Sequence, residues 1–147
     1  MATTFISYGP TVKRELKKVV RARMMAAARA YEKELRRLME EPKSGVIDTR
    51  KGSSHQASAP GEAPAIDTGA MSKGIIHGMA SKGEMGWGVG IGMRTVALTE
   101  QARALELGTW KMAPRSMWKP AMITLRARMK AILSAKGKLS ELSEKEE

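Results

Sequence analysis

From Thr11 to about Met39, apolar side chains return at three- and four-residue steps. Val12, Leu16, Val19, Val20, Met24, Ala27, Ala28, Tyr31, Leu35, Leu38 and Met39 follow one stripe, with Lys, Arg and Glu between them. That is the period of one long amphipathic helix. Pro10 suits its first turn and Pro42 stops it. At 1.5 Å per residue it is about 40 Å long, more than a chain of 147 residues needs for its own core, so part of it is expected to meet a neighbour.

Periodicity then lapses. Residues 42–66 are rich in Pro, Gly, Ser and Ala and read as a long loop inside one domain, because neither flank alone has the apolar material for a core. Such a segment buries too little apolar surface to offset the entropy of ordering, so it is expected to act as an arm, mobile in the free subunit and ordered by a neighbour.

The period changes to two over residues 71–98. Met85, Trp87, Val89 and Ile91 alternate with Gly86, Gly88, Gly90 and Gly92, while Ile75, His77 and Met79 alternate before them. The residues Ser81-Lys82-Gly83-Glu84 read as the hairpin connection, and Arg94 to Leu98 can add a third strand. A strand face made of glycine leaves the backbone bare, so a helix or a neighbouring subunit is expected to cover it.

A short helix from Thr99 to Leu107 follows, with Thr99 as N-cap and Gly108 as its stop. After the turn TWKMAPRS comes a second clear helix. Trp118, Met122, Leu125, Met129, Ile132 and Leu133 form its seam, Pro120 lies in its first turn and Gly137 ends it. The expected class is therefore α+β: a long N-terminal helix, a small antiparallel sheet, a short helix and a C-terminal helix packed on the sheet, in one domain spanning 1–147 with an acidic tail at 139–147.

Composition changes the picture mainly through charge. Residues 1–41 carry ten basic and five acidic side chains, and residues 42–110 carry seven and six. Residues 111–138 carry eight and none, and 139–147 one and four. The net charge of +11 is thus regional, and a surface of that sign attracts polyanions in a salt-dependent way. Lys119, Arg126 and Lys130 lie along one flank of the last helix, either as a basic stripe for DNA or as cations snorkelling around a core seam. Twelve methionines beside six aromatic residues favour pliable contact surfaces over a rigid substrate pocket.

Catalytic chemistry finds no purchase. There is no cysteine, and the two histidines, His55 and His77, share no metal-ligand spacing. Glu62 and Asp67 flank an Ala-Pro-Ala stretch and are the one carboxylate pair to consider, but Asp67 before Thr68-Gly69 reads as a turn acceptor. The glycines at 86, 88, 90 and 92 run at period two, which is not the spacing of a dinucleotide loop. No enzymatic role, cofactor or metal is expected. The N-terminus lacks an early positive charge and an apolar run, and no eighteen consecutive apolar residues occur, so neither a signal peptide nor a membrane span is expected.

Three stretches in order, HQASAPGEAPAIDTGAM (55–71), QARALELGT (101–109) and APRSMWKPAM (113–122), resemble the head–tail joining or tail completion proteins of long-tailed bacteriophages and prophages. The family's Pro-x-Asp-Thr-Gly loop end is matched by Pro64, Asp67, Thr68 and Gly69. Its Tyr-Ala-x-x-Leu-Glu-Phe-Gly-Thr pattern is matched by Ala102, Leu105, Glu106, Gly108 and Thr109, with Gln101 and Leu107 in place of the aromatic residues. Its Arg-Pro-Phe-x-x-Pro-Ala pattern is matched by Arg115, Pro120 and Ala121, with Ser116-Met117 in place of Pro-Phe. The resemblance covers residues 11–135. It implies a non-catalytic virion protein, assembled in the host bacterial cytoplasm as a homo-oligomeric ring of six in the neck.

Its partners in that setting are head-completion and tail-tube or tail-terminator proteins, with genomic DNA passing through the lumen. Pro64, Asp67, Thr68, Gly69, Glu106, Gly108, Thr109, Arg115 and Pro120 become candidates for the subunit interface. Lys119, Arg126 and Lys130 become candidates for the channel. The competing expectation, from charge alone, is a basic nucleic-acid-binding protein without sequence specificity. It lacks a helix-turn-helix, an aromatic stacking platform or a zinc module.

Overall fold

A computed structural model describes the backbone of residues 9–49, 54–83 and 86–134, and side chains within 14–49, 54–79 and 88–134. The acidic tail at 139–147, Glu84 and Met85, and the side chain of Trp87 lie outside the described residues.

The element order is α1 (Gly9–Glu40), β1 (Ile47–Asp48), β2 (His55–Gln56), α2 (Ala70–Gly74), β3 (Ile75–Gly83), β4 (Gly86–Met93), α3 (Val96–Leu107) and α4 (Trp118–Ser134). The chain is of mixed α and β structure, with two small antiparallel sheets, β1–β2 and β3–β4. Helix α1 has 32 residues and is therefore about 48 Å long. Only its second half is built into the protein: Ala27, Ala28, Tyr31, Leu35, Leu38 and Met39 are buried, whereas Arg14 to Lys18 are exposed.

The core gathers where α1, the β3–β4 hairpin, α2, α3 and α4 converge, with Leu35, Ile75, Met117 and Ala121 at its centre. Helix α4 lies against α1, which in turn covers the hairpin. Tyr31 and Trp118 join the two helices, with ring centroids 6.1 Å apart, and the Tyr31 hydroxyl donates to the Trp118 carbonyl oxygen at 2.6 Å. On the hairpin side, the Glu32 carboxylate bonds both the Arg36 guanidinium and the His77 ring. Arg36 donates on to the carbonyl oxygens of Ser72 (3.2 Å) and Ile75 (3.3 Å). One turn of α1 thereby holds the junction between α2 and β3.

Cross-strand partners in the hairpin include Ile75 with Met93, His77 with Ile91 and Met79 with Val89, which share the face turned to the core. The opposite face pairs Ile76 with Gly92, Gly78 with Gly90 and Ala80 with Gly88. Among the described residues no cover lies over it, since a side chain added at Gly78, Gly90 or Gly92 would meet nothing within 4 Å.

Several expectations are corrected. The third strand at 94–98 does not form, because Thr95 Oγ1 accepts the Leu98 amide (3.3 Å) and starts α3 at Val96. Thr95, and not Thr99, is thus the N-cap, and Thr99 donates back to the Thr95 carbonyl oxygen at 2.9 Å. Residues 71–74, read as the start of the strand region, belong instead to the helical turn α2 behind Gly69 (φ 74°).

The long loop is also not free of structure. It carries the β1–β2 pair, Ser58 and Pro64 are buried, and the Glu62 carboxylate accepts from Ser44 Oγ (2.6 Å) and the Ala59 amide (2.8 Å). The Gly61 amide donates to the Pro114 carbonyl oxygen at 3.0 Å. These bonds tie the described part of the loop to itself and to the α3–α4 connection. The seam of α4 is divided as well: Leu125 is buried, and Met122 and Leu133 are 46% and 47% exposed.

Candidate functional site

The residues proposed for the interface fall into two groups. Pro64, Asp67, Thr68, Gly69 and Arg115 line one cleft of about 360 Å³, together with His55 and Asp48. The turn that shapes it is closed by Thr68 Oγ1, which accepts the Ala70 amide at 3.3 Å, and by the left-handed backbone of Gly69. The expected turn acceptor, Asp67, is exposed and accepts no backbone amide among the described residues.

Arg115 enters the cleft from the α3–α4 connection, where its amide donates to the Leu105 carbonyl oxygen at 2.7 Å. Its Nη1 meets Met112 Sδ at 3.5 Å, while its Nε is buried and finds no acceptor among the described residues. Buried donors are rarely left so.

The second group, Glu106, Gly108, Thr109 and Pro120, shapes the connection itself. Glu106 projects from α3 onto the N-terminus of α4. It accepts from the Ser116 hydroxyl and from the amides of Met117 (2.9 Å), Trp118 (3.1 Å) and Lys119 (3.3 Å). The first N–H groups of a helix have no partner within it, and here another helix supplies one. Burial pushes the Glu106 carboxyl up, but these hydrogen bonds outweigh it and hold the group below the usual carboxylate range.

This carboxylate is therefore engaged inside the subunit. Gly108 ends α3 at φ 76°, ψ 175°, and a Cβ there would stand 2.9 Å from both the Met112 carbonyl oxygen and Pro114 Cδ. Gly108→Ala is expected to cost about 1 to 2 kcal/mol in urea unfolding, from backbone strain in a region reserved for glycine. An unchanged midpoint would show that the turn relaxes freely.

Beyond Gly108, the Thr109 amide bonds the Met112 carbonyl oxygen (2.8 Å) and the reverse bond is 3.1 Å, which fixes a tight turn. Trp110 stands at its tip, 90% exposed, with Lys111 Nζ 4.4 Å from the ring centroid. Sequence reasoning gave Trp110 no role, since a single aromatic in a turn carries no period. The Glu32–Arg36–His77 cluster was missed too, although Glu32 and Arg36 one helical turn apart were a readable sign.

Lys119, Arg126 and Lys130 are all exposed on α4. Met122, Met129 and Leu133 join Arg126 and Lys130 around a shallow groove, so the cationic flank borders apolar surface. Among the described residues, no three His, Cys, Asp or Glu side chains are placed to hold a metal ion, and no helix is long and apolar enough to cross a membrane. No family model, curated protein or solved structure matches the chain.

Proposed function

We propose that this chain is a structural protein of the bacteriophage neck, assembling as a ring of six around the DNA channel and joining the tail to the filled head. The observation that carries the reading is the extent of unpartnered surface on one small subunit. Residues 14–18 of α1, the bare glycine face of the hairpin and the Trp110 turn are left without cover among the described residues. Surfaces of that kind mark protein–protein contacts. Neighbouring head-completion and tail-tube or tail-terminator proteins take the two ends of the ring, and the subunit carries no catalytic role.

Native mass spectrometry and electron microscopy at low and high salt test this. A closed oligomer that survives high salt is expected; a monomer whose only partner is nucleic acid, released by salt, would sink the reading and favour the basic nucleic-acid-binding alternative.

The stripe of Lys119, Arg126 and Lys130 is assigned to the DNA side. Replacing all three by Gln is expected to leave folding intact and to flatten the salt dependence of duplex binding. The slope of log affinity against log salt falls by about 0.9 for each phosphate contact removed. An unaltered slope would make the stripe an ordinary solvated flank.

A further inference from the structure

Helix α4 is packed along one side only. Ala121 and Leu125 are buried where it meets α1, but Met122 and Leu133 are 46% and 47% exposed. With Met129 they line a shallow groove of about 440 Å³, and Arg126 and Lys130 stand beside them. Neither cation has an acidic partner among the described residues, where the ion pairs join other side chains. Apolar surface between unpaired cations suits a ligand that is both apolar and acidic. Duplex DNA would meet the cations and leave the groove in water.

The chain carries such a segment directly after α4. Residues 139–147, LSELSEKEE, repeat Leu-Ser-Glu twice and hold four acidic side chains against one base, Lys145. They follow a helix and turn, residues 111–138, with eight basic side chains and no acidic one, so the charges of the two stretches are complementary. From Leu133 back to Met122 the groove runs about 16 Å along the helix, and nine residues reach up to about 30 Å. Residues 135–138 form the connection, with Gly137 where the chain must reverse; its two bases, Lys136 and Lys138, precede the acidic part.

We propose that residues 139–147 fold back along α4 of their own chain, with Leu139 and Leu142 in the Met122–Met129–Leu133 groove and the glutamates beside Arg126 and Lys130. The segment then occupies the flank assigned above to DNA, and a polyanion must displace it to bind. That consequence rests on the DNA reading of the flank; the docking does not.

The test uses two variants of the full chain. One is Leu139→Ser with Leu142→Ser, and the other is Glu141→Gln with Glu144→Gln, Glu146→Gln and Glu147→Gln. Circular dichroism and melting verify that both are folded. With methyl-labelled methionine, the Met122 and Met129 signals are expected to move from their wild-type positions in both variants. Both are expected to bind a DNA duplex about five- to tenfold more tightly than the wild type, because a competing segment lowers apparent affinity to the fraction of sites it leaves vacant. The leucine variant decides, since it keeps the net charge at +11 and charge alone cannot tighten its binding.

Met122 and Met129 signals that stay in place in the leucine variant overturn the docking. Tighter duplex binding by the glutamate variant alone makes the segment a diffuse counter-charge and overturns it too. Signals of the labelled leucine variant that return towards the wild-type positions on mixing with unlabelled wild type give the groove to the segment of another copy, and the fold-back falls. Signals that move in both variants, while no form of the chain binds a duplex, sustain the docking and sink the DNA reading of the flank.

Discussion

Leu125→Ala is expected to lower the unfolding free energy by about 2 to 5 kcal/mol, while Met122→Ala, less than one turn away on the same helix, changes it by less than about 1 kcal/mol. Leu125 is 5% exposed in the cluster that holds Tyr31, Leu35 and Ala121, so truncation removes its transfer energy and leaves a cavity. Met122 is 46% exposed, and its side chain is already in contact with water. Urea unfolding of dilute protein measures both. Equal costs for the two would mean that the whole seam is packed within one subunit, and a null result at Leu125 would place the core elsewhere.

The division of that seam shows what the sequence could convey. Spacing announces that a helix has an apolar face; it does not say how much of the face its own chain covers. Helix α1 poses the same problem at larger scale, because its stripe runs unbroken through Leu16 and Val20 although burial is complete only from Ala27 onward. Both long helices and the hairpin were legible because each repeats a period over many residues.

The elements that were not legible are short or depend on a single bond. Arg94 to Leu98 alternates well enough to suggest a strand, yet one hydroxyl, that of Thr95, turns the chain into α3 and leaves Val96 79% exposed. Five residues of α2 are too few to show a period. The loop at 42–66 lacks apolar material, and it is held instead by polar bonds from Glu62 and Gly61 to distant partners, which no local pattern reveals. Of the candidate interface residues, spacing gave their order along the chain. It could not tell that Glu106 faces inward onto a helix end while Asp67 remains open to the cleft.

Glu106→Ala is the second large effect, expected at about 2 to 4 kcal/mol, since it withdraws one acceptor from the Ser116 hydroxyl and three amides of the first turn of α4 at once. The charge adds a pH signature. Because the folded carboxyl titrates below its unfolded value of 4.5, the stabilisation is complete above that value and disappears as pH falls through the lowered folded value.

The gap in stability between wild type and Glu106→Gln is therefore expected to narrow from about pH 6 to about pH 3. Glu34 and Glu62 are also lowered, Glu34 chiefly by its bond to Arg37 and Glu62 by its bond to Ser44, and both titrate in the same acid window. Their contribution is common to the two proteins and cancels in the difference. A gap that stays constant across that range would mean that the carboxylate acts by shape alone. A gap that widens in acid would contradict the hydrogen-bond assignment, since a carboxyl stabilised in its charged form cannot gain by protonation.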